Sequence, residues 1–512
     1  MIATMAPTDE NPMTAHPHQP ALHHTPRPDP GSIGAARIAW VLALSLLGSL
    51  IFTNWREGQS LKNQPSAVAA SDQPRPPDFS DPFTLNSKVW VKFSHAMPVD
   101  PASQAMIKSQ ISQGVQNNTD RLRSVMITAD LSGDDAGLAK LEEMKTAAAQ
   151  ERDATGALTT LPDWWTQDAL RLEAVLASNE TGSTENLDAL KERHGWFAEV
   201  LATRKSPMTD PARQAAAGGG GQLILVLILA VAVFLTAIIG GITAGVFVLI
   251  GLAKRKFVPA FIPPLPGGSV YLETIAVFLA GFLVLKVVVP LILIASGTFN
   301  PNDPPPDWLT TATLAAQWLL LPLIFWPLCR GVTFARWRQD IGWHSGAGFW
   351  KEVWAGIYAY LGGLPLLALA ALITVIIVVV RGIVATAAGE QPTPPSNPIV
   401  EILQSASPLA LVMLFTLATI WAPIVEETLF RGGVFRHLRG RLGLLASAIL
   451  SALWFGFMHS YEIPLLLPVI TLGFVFALMR EWRGSLIGCI IAHGLHNATV
   501  LTLAILFFSA LG

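Results

Sequence analysis

QLILVLILAVAVFLTAIIGGITAGVFVLIGL, residues 222–252, runs for 31 positions without one charged side chain. As a helix rising 1.5 Å per residue it would reach about 45 Å, more than the ~30 Å hydrocarbon core of a bilayer. The stretch therefore predicts a membrane-spanning helix. Similar apolar runs follow at about 268–297, 310–329, 352–381, 400–424, 443–460, 463–480 and 485–511. An earlier run, 36–53 (ARIAWVLALSLLGSLIFT), is closed by Trp55 and Arg56. It reads as a signal anchor at 35–55 rather than a cleaved signal peptide. The tail before it is long, and the small residues Ala67 and Ala69 lie too far downstream for a cleavage site. The expectation is an all-α polytopic membrane protein with nine spanning helices.

Composition agrees. The 512 residues are 51% hydrophobic and 14% charged, with mean hydropathy +0.46, whereas soluble domains carry about a quarter charged residues. Of the 36 acidic residues, 3 precede residue 56, 22 fall in 56–221 and 11 follow, so one soluble insert interrupts a nearly charge-free chain. A net charge of −2 argues against a basic nucleic-acid binder. Cys329 and Cys489 form neither a disulfide framework nor a cysteine metal site.

Residues 1–34, rich in Pro, His, Thr and Ala, read as a disordered tail. Its His18, His23 and His24 are of a type that can form a metal-binding tract, but a polar low-complexity tail is the preferred reading. The insert, 56–221, starts Pro-rich and carries a short candidate strand at Val89–Phe93. It then turns helical, with apolar residues at helical spacing (Leu138, Leu141 and Met144; Leu170, Leu172 and Leu176; Leu187, Leu190 and Trp196–Leu201). Trp164 and Trp165 read as core. The run Ala215–Gly221 reads as a flexible linker. The insert is expected to recruit or present a partner outside the cytoplasm, with a plain spacer as the bland alternative. Membrane helices fill 222–399, and a last helical unit fills 400–511.

Every second loop is basic. Lys254, Arg255 and Lys256 follow the second helix, Arg330, Arg336 and Arg338 the fourth, Arg436, Arg439 and Arg441 the sixth, and Arg480 and Arg483 the eighth. The loops at 298–309, 382–399 and 461–462 hold no Lys or Arg. The positive-inside rule then puts the basic loops in the cytoplasm and the insert outside, in the plasma membrane of a bacterial-type cell.

Ionisable groups inside a span are costly and mark candidate sites. Glu273 and Lys286 are isolated and read as structural. Polar groups recur, however, on three later helices. In Glu426-Glu427-Thr428-Leu429-Phe430-Arg431, Glu427 and Arg431 have the favourable i, i+4 ion-pair spacing. Glu426 points about 100° away and has no local partner. The second cluster is Phe455-Gly456-Phe457-Met458-His459. The third is His493-Gly494-Leu495-His496-Asn497, with His493 and Asn497 on one face. Helix rise puts Glu426 roughly 15 Å from Arg436 and His493 roughly 15 Å from Arg483. His459, roughly 24 Å from Gly443, fits less well. His496 reads as a lipid-interface residue.

These three motifs, in this order on consecutive helices within about 72 residues, resemble the CPBP family of intramembrane proteases. That family includes the type II CAAX prenyl proteases and abortive-infection-like proteins. The resemblance covers about 400–511. It implies an intramembrane endopeptidase hydrolysing a peptide bond of a membrane-associated protein or peptide, with no nucleic-acid partner. Glu426 would be the general base and His459 would hold the water. His493 and Asn497 would donate to the oxyanion, while Glu427, Arg431 and Phe455 support the site. A poorly hydrated carboxylate suits base catalysis, and donors fixed in a low-dielectric cavity stabilise a tetrahedral intermediate. No residue reads a prenyl group. No cofactor is expected, although Glu426, His459 and His493 are of types that permit zinc. Two other readings are a non-proteolytic scaffold or bacteriocin-protection factor of the same fold, and a proton-coupled transporter. A transporter would usually show internal repeats, and none is evident.

Overall fold

The computed structural model describes residues 26–63, 81–97, 100–115, 117–150, 161–178, 184–254, 258–300, 307–388, 398–405, 407–459 and 461–511. The histidines of the tail, His18, His23 and His24, lie outside them. Among the described residues the regular structure is helical, apart from one isolated parallel bridge between Pro28 and Leu265. Eight helices among the described residues are long and apolar enough to cross a membrane. A ninth, Leu444–Phe457, is apolar but shorter.

Helix α1 (Ile33–Asn63) packs on α11 (Val270–Ala295), burying Ala39, Ala43 and Leu47. The insert follows as eight helices: α2 (Pro82–Ala96), α3 (Pro101–Gln113), α4 (Asn118–Ser132), α5 (Asp134–Gln150), α6 (Asp163–Ala177), α7 (Thr184–His194), α8 (Trp196–Thr203) and α9 (Pro211–Ala217). Three of them begin Asp-Pro. Asp81, Asp100 and Asp210 each accept from backbone N–H groups of the first turn, and the proline at the first helical position has no N–H to leave unpaired. The candidate strand at Val89–Phe93 is instead helical. The Asp81 cap starts α2, and Phe83, Ser87 and Val91, four apart, share a buried face, so tertiary burial overrides a locally β-like sequence. Trp165, Leu172, Val175, Leu190, Phe197 and Leu201 centre the insert's own core, with Trp164 at its edge.

The junction after the insert is packed rather than flexible. Only two residues, Gly218 and Gly219, separate α9 from α10 (Gly220–Ala253). A Cβ on Gly220 would collide with the backbone oxygen of Lys92 on α2, and one on Gly219 would lie 2.5 Å from the Ala510 carbonyl. The glycines let backbones meet. Asp29, expected within the disordered segment, is instead buried in an ion pair with Arg436 (2.7 Å).

The remaining helices are α12 (Trp308–Cys329), α13 (Phe334–Ile341), α14 (Phe349–Ala387), α15 (Pro398–Ser405), α16 (Pro408–Arg439), α17 (Leu444–Phe457), α18 (Ile463–Arg483) and α19 (Ile487–Leu511). The span expected at 400–424 starts at Pro408, because α15 is a separate short helix. α14, α16, α17, α18 and α19 pack together through small residues, as membrane helices do where backbones approach. A Cβ on Gly356 of α14 would meet the Gly488 carbonyl of α19 at 2.5 Å. Glu273 and Lys286, expected to be structural, lie apart from the glutamate pair in sequence and on another helix. Glu273 pairs with Arg330 at 2.8 Å, and Lys286 lies in a π turn, Val284–Val288.

Candidate active site

Pro423 shapes the helix that carries both glutamates. It offers no N–H and its ring crowds the preceding turn. The chain answers with a π turn, Leu417–Trp421, after which Ala422 donates to the Leu417 carbonyl. The next carbonyl, Ala418, would find its donor at position 423, where there is none. Asn497 fills the vacancy: its Nδ2 donates to the Ala418 oxygen at 2.7 Å. Gly494 permits the approach, since a Cβ there would lie 2.9 Å from the Thr419 oxygen. Single π turns of this kind cluster at functional sites. A second one, Phe430–Phe435, follows the glutamates.

Between the two π turns, α-helical Ala422–Leu429 places Glu426 and Glu427 on different faces. Glu427 is fully buried. Its Oε1 accepts from Arg431 Nη1 at 3.0 Å and from His493 Nδ1 at 2.9 Å. Arg431, equally buried, donates through Nη2 to the Gly473 carbonyl of α18 at 2.8 Å. Its guanidinium lies 4.5 Å from the centre of the Phe455 ring and 5.2 Å from that of Phe476. One ion pair thereby ties α16 to α17, α18 and α19. The expected pair is present, and its carboxylate also grips His493, a contact between residues 66 apart that helical spacing does not reveal.

That grip sets the imidazole. Glu427, paired with Arg431, can only accept, so His493 Nδ1 carries a proton. The ring is stacked on Phe476 with centroids 5.3 Å apart and meets the edge of Phe455 at 5.9 Å. Its other nitrogen, Nε2, faces Glu426 Oε2 at 3.9 Å. The Glu426 side chain keeps 23% of its surface exposed, and Oε2 has no hydrogen-bond partner among the described residues. Glu427 Oε2 likewise has no partner, so the contrast lies in the other oxygen: Glu427 Oε1 is braced twice, whereas Glu426 makes no hydrogen bond among the described residues.

His459 sits just past the end of α17, in the bend that follows it. Its Nδ1 lies 2.9 Å from the Phe455 carbonyl. A carbonyl only accepts, so Nδ1 carries the proton and Nε2 keeps its lone pair. No hydrogen bond among the described residues joins His459 to Glu426. Phe455 is the hub instead: its ring touches those of His459 (5.0 Å), His493 and Phe430 (5.2 Å) as well as Arg431. His496 is no lipid-interface residue. It is half-buried, and its Nδ1 is 3.2 Å from the hydroxyl of buried Tyr360 on α14. Tyr461, whose ring lies 5.6 Å from that of His459, is a neighbour that no motif marked. Among the described residues no three His, Cys, Asp or Glu side chains gather as a metal-ligand set.

Residues 408–499 match a family model, Rce1-like, described as type II CAAX prenyl endopeptidase Rce1-like. The matched segment includes every motif residue from Glu426 to Asn497, and it is the family grouping that the motifs resemble. No curated protein and no solved structure matches the chain.

Proposed function

We propose that the chain is an intramembrane endopeptidase that hydrolyses a peptide bond of a membrane-associated protein or peptide. The observation that carries this reading is the asymmetry of the glutamate pair. Glu427 is held through Oε1 by Arg431 and His493, while Glu426 makes no side-chain hydrogen bond among the described residues and faces His493 Nε2 at 3.9 Å. A brace with no reaction to serve would not need the second carboxylate.

In this mechanism Glu426 takes a proton from water as the water oxygen adds to the scissile carbonyl. His459 Nε2 accepts a hydrogen bond from the same water. The tetrahedral intermediate then expels the amine, which leaves with the proton held by Glu426. His493 donates to the oxyanion through Nε2. Because Nδ1–H is committed to Glu427, that donation requires the imidazolium. Two carboxylates against one arginine supply the balancing negative charge. Asn497 has one amide hydrogen on Ala418, so only its second is free for the oxyanion. It both positions α19 and contributes to the hole. The basic loops are cytoplasmic and the insert extracytoplasmic in this reading, in the plasma membrane of a bacterial-type cell.

Comparing the termini of membrane proteins in cells carrying the wild type, Glu426→Gln or no copy tests it. New termini present with the wild type and missing in both other strains are expected. Identical termini in all three would reject proteolysis in favour of a scaffold of the same fold.

A further inference from the structure

On the face of the molecule formed by the basic loops lies a cavity of about 710 Å³, some distance along α16 and α18 from the glutamate pair. Its walls come from the N-terminal segment at Arg27, the 258–264 loop, the turn around Asp340 to Glu352, Arg436, and the end of α18. Five cations line it (Arg27, Lys351, Arg436, Arg480 and Arg483) against two carboxylates, Asp340 and Glu352. Both carboxylates are committed. Glu352 is held bidentately by Arg483, at 2.7 and 3.0 Å. Asp340 takes the Tyr271 hydroxyl at 2.7 Å and Arg436 and Arg336 at 3.3 Å each. Arg436 is further neutralised by Asp29.

Arg480 is the exception. It is 1% exposed, yet no carboxylate lies within 4 Å of it among the described residues. Its guanidinium donates to the carbonyls of Gly484 and Asp340 and lies 4.8 Å from the centre of the Phe261 ring, but Nε has no hydrogen-bond partner. The turn opposite is shaped to admit it: Gly342 has φ +97°, and any Cβ there would collide with the guanidinium. A cation buried without an anion is strongly unfavourable. A site that keeps one in a cavity with two more exposed cations at its edge, Arg27 and Lys351, is built for an anion. The rim says where that anion sits. Val258, Trp350 and Trp354 are exposed around the same face, and tryptophans in that setting mark the headgroup level of a bilayer. Basic pockets between spanning helices are a known form of anionic-headgroup site.

We propose that this cavity binds the phosphate of an anionic phospholipid, with Arg480 as the buried contact and Arg27 and Lys351 closing over it. The proposal stands apart from proteolysis, since no motif residue lines the cavity.

The test uses the full chain in detergent micelles, titrated with short-chain phosphatidylglycerol, short-chain phosphatidylcholine and inorganic phosphate. Tight binding of phosphatidylglycerol over phosphatidylcholine is expected, weakened at least tenfold by Arg480→Gln. Because Arg480→Gln can fail to fold, the exposed double variant Arg27→Gln/Lys351→Gln provides a second reading, with an expected loss of about threefold to tenfold. Arg381→Gln, at the opposite end of α14, should bind like the wild type. Inorganic phosphate that binds with the same variant sensitivity would support the phosphate site and assign its source to solution. Equal affinity for the two lipids, or an unchanged phosphatidylglycerol affinity in the exposed double variant, would overturn the proposal.

Discussion

Two adjacent carboxylates, Glu426 and Glu427, have opposite surroundings, and their substitutions should separate cleanly. Among the described residues Glu427 is the one carboxylate paired with fully buried Arg431, so Glu427→Gln strands a buried charge, which costs about 3–5 kcal/mol. The thermal midpoint of purified Glu427→Gln should fall well below that of the wild type, whereas Glu426→Gln should unfold with it. Matching midpoints for Glu427→Gln and the wild type would refute the brace. The same geometry bears on zinc. His493 Nδ1 and Glu427 Oε1 already hold each other, and catalysis by Glu426 through water needs no ion. Prolonged treatment with EDTA or phenanthroline should leave hydrolysis intact. Loss of activity that zinc restores would reassign Glu426, His459 and His493 as ligands. At this scale the sequence was a poor guide to what the candidate residues touch. The i, i+4 pair of Glu427 with Arg431 follows from helical spacing, but the grip of Glu427 on His493 depends on how α16 and α19 are packed.

Elements show the same division. Apolar period and Asp-Pro caps make the helices readable. The strand expected at Val89–Phe93 fails because β-branched residues on a capped helix still bury one face. The π turn before Pro423 and the answering Asn497 were not legible either, since a missing donor becomes visible only once the neighbouring helix is in place. Likewise Gly218–Gly221 has a linker's composition, and only the contact of Gly220 with α2 makes it a junction. Within the insert, fully buried His194 on α7 donates through Nε2 to Asp168 of α6, 3.3 Å away. Burial, opposed by that hydrogen bond, holds its pKa below the ordinary 6.5. The unfolded chain therefore binds a proton near pH 6 that the folded insert refuses, and ∂ΔG/∂pH is positive there. This contribution is fully present above 6.5 and declines as pH falls below it. Hydrogen exchange on the full chain should show α6 and α7 amides losing protection between pH 7 and 5, after correction for intrinsic rates. Protection constant across that range would contradict the assignment of a neutral His194.

For the whole molecule, apolar runs read directly as spans, because a bilayer imposes length and composition on each helix independently. Sidedness depends on the alternation of basic loops, and it can be measured. In a Cys329→Ser background, a cysteine introduced at exposed Leu170 of the insert should react with a membrane-impermeant reagent added to intact cells, and one at Arg336 should not. The reverse pattern would invert the orientation. Packing of the insert against α10 and the end of α19 was hidden for the same reason as the site contacts: it joins segments far apart in sequence. The proposed function makes Glu426 the residue that performs peptide hydrolysis within the membrane. The most direct measurement reconstitutes the wild type and Glu426→Gln in liposomes with a peptide identified by the comparison of cellular termini, and follows product release. The wild type should cleave it, and Glu426→Gln should be slower by a factor of about 10² or more at an unchanged thermal midpoint; equal rates for the two proteins would contradict the claim.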